Sequence, residues 1–324
     1  MRKAMAEAEV GDDLYGEDPT TAKLQSSAAK LVGMEDALFV PSGVMGNQIA
    51  MWVHSGRKGS VLADRTSHIS LYEADGVSRL AGVGLKPMDT QGDFGPKELA
   101  PFFLASDPHF APIGVVTAEN TQQFYGGRCW PQGRLKAART FAQGKGARFH
   151  IDGARVFNAA VAQATTADRL CRGADSVMFC LSKGLSAPVG SMICGSEEFV
   201  EEARYVRKLL GGGMRQSGHL AAAGLVALDT GIDRLADDHA NAKLLAKGLA
   251  DLPGCKVAFP VETNMVMVHV AKPLGVTGFI AKARKAGVLC GARVEDDLVR
   301  FVTHRNVSSK DVKLALERIE DMLG

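Results

Sequence analysis

From about Leu14 to about Asp229, short apolar runs alternate with longer segments whose apolar residues recur at helical spacing. The short runs are rich in β-branched and aromatic residues and bounded by turn residues, which predicts buried strands. They fall at Ala37–Val40, Ser60–Ala63, Ile113–Ala118, Ala147–Ile151, Ser176–Leu181 and Met192–Cys194. Helices are predicted over Glu197–Leu210, stopping at Gly211-Gly212-Gly213, and over Leu220–Leu228. Such alternation implies a mostly parallel sheet with helices on both faces. Beyond about Ile232 the pattern changes. A helix over Asp238–Asp251 ends at Pro253-Gly254, strands follow near Lys256–Phe259 and Asn264–Val270, a helix near Thr277–Ala286, and a strand at Leu298–Thr303. The last helix has Ser308 as its N-cap with Asp311 three residues on, and Val312, Leu316, Ile319 and Leu323 as its apolar stripe. The chain therefore divides into an N-terminal segment (1–13), a large α/β domain (14–232) and a smaller α+β domain (233–324).

Composition changes this picture little. Of 324 residues, 46% are hydrophobic and 23% charged, as in ordinary globular proteins. A formal net charge of +2 gives no reason to expect nucleic acid or an anionic membrane surface as partner. No apolar run approaches membrane-spanning length, and the N-terminus lacks the apolar stretch of a secretory signal. The cysteines (Cys129, Cys171, Cys180, Cys194, Cys255 and Cys290) include no C-x-x-C pair. They read as reduced thiols in a cytoplasmic protein, not as metal ligands or disulfides.

Candidate chemistry collects at predicted strand ends, where open α/β sheets bind ligands. Lys183 stands at the carboxyl end of the run Asp175–Ser182 and is followed at once by Gly184. An amine held there can attack a carbonyl, or it can simply snorkel from the strand end to water. Asp152 ends the strand around Phe149-His150-Ile151. A carboxylate so placed can partner the ring nitrogen of pyridoxal phosphate, and it can equally cap a helix beside Gly153. The loop Pro41-Ser42-Gly43-Val44-Met45-Gly46-Asn47 leaves a strand and enters an apolar helix, the setting for a phosphate at a helix start. It matches neither the P-loop nor the dinucleotide fingerprint, which leaves a small monophosphate cofactor, or plain turn chemistry. His68, again just past a strand, offers a ring face for stacking and nitrogens for acid–base work, or is a loop histidine. Arg155 and Arg300 are the candidate clamp for a carboxylate, although Arg300 can also face solvent from an alternating strand. Arg215, after three glycines that also serve as a helix end, can reach a phosphate.

Together these segments strongly resemble the low-specificity L-threonine aldolases, aspartate-aminotransferase-like (fold type I) pyridoxal phosphate enzymes. The resemblance is carried by Gly11–Pro19, Glu119-Asn120-Thr121, Asp152-Gly153-Ala154-Arg155, Cys180–Leu185 with Ala187–Ser191, Gly211–Gln216 and Arg300–His304. It implies a seven-stranded-type, mostly parallel sheet in the large domain, and a homotetramer built as a dimer of dimers. It implies that Lys183 holds the cofactor, Asp152 partners its ring nitrogen and His68 stacks on its ring. Ser42, Gly43 and Val44 would form the phosphate loop. Arg155 and Arg300 would bind the substrate carboxylate, and Arg215 would reach a phosphate across a subunit interface. The implied reaction is cleavage of threonine or allo-threonine to glycine and an aldehyde, with no metal. Two departures stand out. The family commonly begins with an Asp-Leu-Arg-Ser-Asp-like segment upstream of the point where this sequence starts. It also usually carries a histidine where Gln122 stands, and an amide can hydrogen-bond a hydroxyl but cannot exchange its proton near neutral pH. The alternatives are another carbon–carbon or β-eliminating lyase of the same fold, or a cofactor-binding relative whose catalysis is impaired.

Overall fold

In the computed structural model the described residues are 1–105, 107–293 and 297–324. They form two compact units, Met1–Phe124 with Trp130–Ile232, and Tyr125–Cys129 with Asp233–Gly324. The first unit is built on a seven-stranded sheet in the order β1-β7-β6-β5-β4-β2-β3. These strands are β1 (Asp36–Val40), β2 (Ser60–Asp64), β3 (Gly84–Met88), β4 (Ile113–Glu119), β5 (Arg148–Asp152), β6 (Ser176–Cys180) and β7 (Ser191–Gly195). Neighbours from β3 through β6 run parallel, and β7 runs antiparallel to both β6 and β1. The α/β class and the mostly parallel seven-stranded sheet expected from the motifs are what the chain adopts.

β2, β6 and β7 are buried along their whole length, and β1, β4 and β5 along all but one residue, as near-continuous apolar runs covered on both faces must be. β3 is the exception. Its sequence, Gly-Leu-Lys-Pro-Met, carries a lysine and a proline at the sheet edge, which blunts further pairing. Those two residues erase the apolar signature, and the sequence pattern missed the strand. Helix Gly43–Ser55 packs with helix Glu197–Leu209 over a core that includes Leu38, Ile49, Val61, Val115, Met178, Ile193 and Phe199. Each large apolar side chain fully buried there contributes about 1.5–3 kcal/mol.

The second unit has an antiparallel four-stranded sheet, β10-β11-β9-β8, from β8 (Cys255–Val257), β9 (Met265–Val270), β10 (Gly291–Arg293) and β11 (Leu298–Val302). Helices Leu235–Asp251, Gly275–Lys285 and Ser309–Leu323 share its core through Leu249, Phe279 and Ile319. Ser308 and Asp311 form a reciprocal capping box at the start of the last helix, as their spacing predicts. Among the described residues no helix is long and apolar enough to cross a membrane.

Candidate active site

The carboxyl ends of β5 and β6, the turn after β2 and the start of helix Gly43–Ser55 surround a cavity of about 290 Å³ in the first unit. Six residues singled out from the sequence line it: Ser42, Gly43, Val44, His68, Asp152 and Lys183. Parallel strands explain the convergence, because all end on the same edge of the sheet. Lys183 sits in the bend just after β6, half-buried. Asp152 is the last residue of β5, buried beside Glu119 of β4 and Met178 of β6 in register.

Asp152 is tightly held. Its Oδ1 accepts from the backbone N–H of Ala154 at 3.1 Å, and its Oδ2 accepts from the Asn47 amide at 2.9 Å. The second Asn47 N–H goes to Glu73 Oε1 at 2.8 Å, and Gln48 donates to Glu73 Oε2 at 2.6 Å. His68 opens a short helix, His68–Leu71, and its Nδ1 lies 2.8 Å from the same Glu73 Oε1. That bond holds the imidazole pKa above its ordinary value, against the opposing effect of burial. The backbone N–H of His68 donates to Glu119 Oε2 at 2.6 Å, and that of Gln123 to Glu119 Oε1 at 2.8 Å. Burial first, and then the neighbouring Asp152, push Glu119 up to about 7.

Ser42 caps helix Gly43–Ser55, accepting from Met45 N–H at 3.2 Å. Gly43 has no room for a side chain, since a Cβ there would come within 2.8 Å of Cys180 Sγ on β6. The helix start is therefore pressed onto the end of β6, its free N–H groups beside the cavity.

The remaining candidates lie elsewhere. Arg155, half-buried, precedes helix Val156–Ala162 and is not on the cavity wall. Gln122 is buried in the loop after β4, with the Cα of Gly92 pressed against its amide. Arg215 is exposed and pairs with Asp12 Oδ2 at 2.6 Å, its guanidinium 5.8 Å from the ring of Tyr15. Arg300 belongs to the second unit, at a half-buried position of β11. Sequence reasoning gave no role to Glu73 or His150, named Asn47 only as the end of the phosphate-loop segment and Glu119 only as part of a family motif. His150 carried a usable signal: it stands two residues before Asp152 in a strand and so shares its face.

A family model described as beta-eliminating lyase matches residues 1–273. The chain belongs to this family. The chain is 42% identical over 327 residues to low-specificity L-threonine aldolase 1 of Arabidopsis thaliana, covering 98% of this chain and 90% of the relative. It is 39% identical over 315 residues to the low specificity L-threonine aldolase of Escherichia coli O157:H7, covering 96% and 92%. A solved threonine aldolase of Leishmania major shares its fold, with a TM-score of 0.83 over 98% of this chain and 93% of that one at 19% identity. The family resemblance read from the motifs is thereby borne out, and the lyase is a pyridoxal phosphate-dependent aldehyde-lyase. Its cavity fits that cofactor's chemistry: an amine, a buried carboxylate, an imidazole and a helix start line it together, and the glycine at that start admits no side chain.

Proposed function

We propose that this lyase cleaves β-hydroxy-α-amino acids, threonine or allo-threonine, to glycine and an aldehyde. The observation that carries the reading is the convergence of Lys183, Asp152 and His68 on one cavity beside the start of helix Gly43–Ser55. Pyridoxal phosphate, when bound, supplies a sink for the electron pair released at the substrate's α-carbon. Lys183 would hold its aldehyde, Asp152 its ring nitrogen, and Ser42 with the N–H groups of Gly43 and Val44 its phosphate. The protein's own part is then positional and protonic. Asn47 and the Ala154 N–H fix the Asp152 carboxylate. Glu73 holds His68 by Nδ1, which leaves Nε2 to take the β-hydroxyl proton. Arg155 and Arg300 are the guanidinium groups proposed for the substrate carboxylate, and Gln122 a hydrogen-bonding contribution to substrate binding. Orienting the scissile bond is the kind of effect that contributes several kcal/mol of barrier lowering.

The acting species is proposed to be a cytoplasmic homo-oligomer, a dimer of dimers. Tyr205 and Leu209, one turn apart on helix Glu197–Leu209, are 76% and 59% exposed, and Tyr15 is 71% exposed. Exposed large apolar groups of this kind favour a covered surface. Arg215 beside Tyr15 would then reach the partner subunit. The test of the reaction is product analysis: threonine is expected to yield glycine and acetaldehyde in equal amounts, and Lys183→Ala protein neither. 2-Oxobutanoate with ammonia in their place would assign a β-eliminating reaction to the site instead.

A further inference from the structure

Behind Asp152 a line of polar side chains, buried as far as Ser176 and ending in the half-buried His54, runs from the cavity to the opposite end of the sheet. The amide of Asn47 faces two carboxylates, Asp152 at 2.9 Å and Glu73 at 2.8 Å. Only its N–H₂ side can serve both, so its oxygen points the other way, 3.1 Å from Nε2 of His150. His150 must then carry its proton on Nε2. Complete burial, and behind it the imidazole of His54, hold its pKa well below the ordinary value, so the ring is neutral and Nδ1 is an acceptor. Nδ1 lies 2.7 Å from Ser176 Oγ, whose hydroxyl supplies that proton. Ser176 Oγ is left to accept from His54 Nε2 at 2.7 Å. Every proton in the line is placed, and every donor points towards Asp152.

The geometry is written in the sequence. Asn47 and His54 are seven residues apart, two turns on one face of helix Gly43–Ser55. His150 and Ser176 are partners in the β5–β6 register, and His150 precedes Asp152 by two, on the same face of the strand. Asn47, His150 and Ser176 are essentially inaccessible to solvent, where an unpaired polar group would cost about 1–3 kcal/mol. His54 is further locked by stacking on Phe199 at 4.6 Å.

We infer that Asn47 and His150 are positioning residues of the active site, forming with Ser176 and His54 a one-way hydrogen-bond relay that fixes the Asp152 carboxylate. The relay rests on the cofactor reading only for the purpose of Asp152. Its own protonation pattern is a property of the apoprotein.

Two measurements test it. In wild-type apoprotein, ¹H–¹⁵N imidazole spectra, assigned by the signals that His150→Phe removes, should show His150 protonated on Nε2 and bare on Nδ1. A proton on Nδ1 overturns the relay, whatever the variants do. In the second, apoprotein is titrated with pyridoxal phosphate and the dissociation constant is read. Asn47→Ala, which removes a hydrogen bond to the Asp152 carboxylate, and His150→Phe, which leaves the Asn47 amide unanchored, should each weaken binding about tenfold. In the Asp152→Ala background the same changes should cost no more than about twofold, because groups acting through one partner are not additive. Equal losses in both backgrounds would assign these residues to general folding and overturn the inference. Wild-type protein that takes up no cofactor would sink the proposed function instead, and the imidazole spectrum would still decide the relay.

Discussion

Gly43 shows how a single residue ties packing to chemistry. Its missing side chain lets the start of helix Gly43–Ser55 rest on Cys180 Sγ, where a Cβ would sit 2.8 Å away. Gly43→Ala should therefore overpack the junction, costing about 1–3 kcal/mol and weakening cofactor affinity. Cys180→Ala removes the clashing sulfur, so the double variant should recover most of both losses in denaturant unfolding and cofactor titration. Unchanged stability in Gly43→Ala would show that the junction has room. At this scale the sequence was half legible. Lys183, Asp152 and His68 were readable because each follows an apolar strand, and sheet ends are where ligands bind. Glu73 was not. It sits in Leu71-Tyr72-Glu73-Ala74-Asp75-Gly76, which reads as an exposed polar turn, yet it is buried and accepts from Asn47, Gln48 and His68. Nothing local marks a carboxylate two of whose three partners, Asn47 and Gln48, lie 26 and 25 residues away in the chain.

At the scale of elements, apolar pattern located most of the strands and missed two at sheet edges: β3, whose Lys86 and Pro87 suit an edge, and the three-residue β10. The same reading had no means of finding the contact that ties the N-terminal loop to helix Glu197–Leu209. Arg207 on that helix pairs with Asp13 at 2.9 Å, both side chains buried, and also donates to the carbonyl of Phe39 at 2.8 Å. Burial favours the uncharged guanidine and lowers the Arg207 pKa, while Asp13 opposes the shift. Breaking such a pair strands a charge. Asp13→Ala should destabilise the first unit by about 3–5 kcal/mol, whereas replacing both partners with apolar residues of similar volume should cost far less. Chemical unfolding of the single and double variants checks this. A single variant as stable as the double would mean that the pair carries no such coupling.

Over the first unit as a whole, buried imidazoles and a buried carboxyl pull pH dependence in opposite directions. His54, lowered to about 4 mainly by burial, and His150, lowered well below its ordinary value, stay neutral in the fold but bind protons when unfolded below about 6.5. Acidification therefore costs stability, which rises with pH up to about 6.5 on their account. Glu119, raised to about 7, does the reverse. The unfolded carboxyl ionises near its ordinary value while the folded one keeps its proton, so stability falls as pH rises to about 7. Between about pH 4.5 and 6.5 two protons are gained on unfolding at the histidines and one is lost at Glu119. The net is one proton, a slope of about 1.4 kcal/mol per pH unit. Above that window His68, whose pKa is raised by Glu73, adds stability that is lost as pH climbs through its folded value, which places the maximum near pH 6.5. Glu119→Gln removes the one opposing proton. Its slope on the acid side should be steeper than that of the wild type by about 1.4 kcal/mol per pH unit, in urea unfolding of apoprotein from pH 4.5 to 6.5. The same slope in wild type and variant would mean that Glu119 is ionised throughout this range, and that the carboxylates around His68 are balanced by other charges.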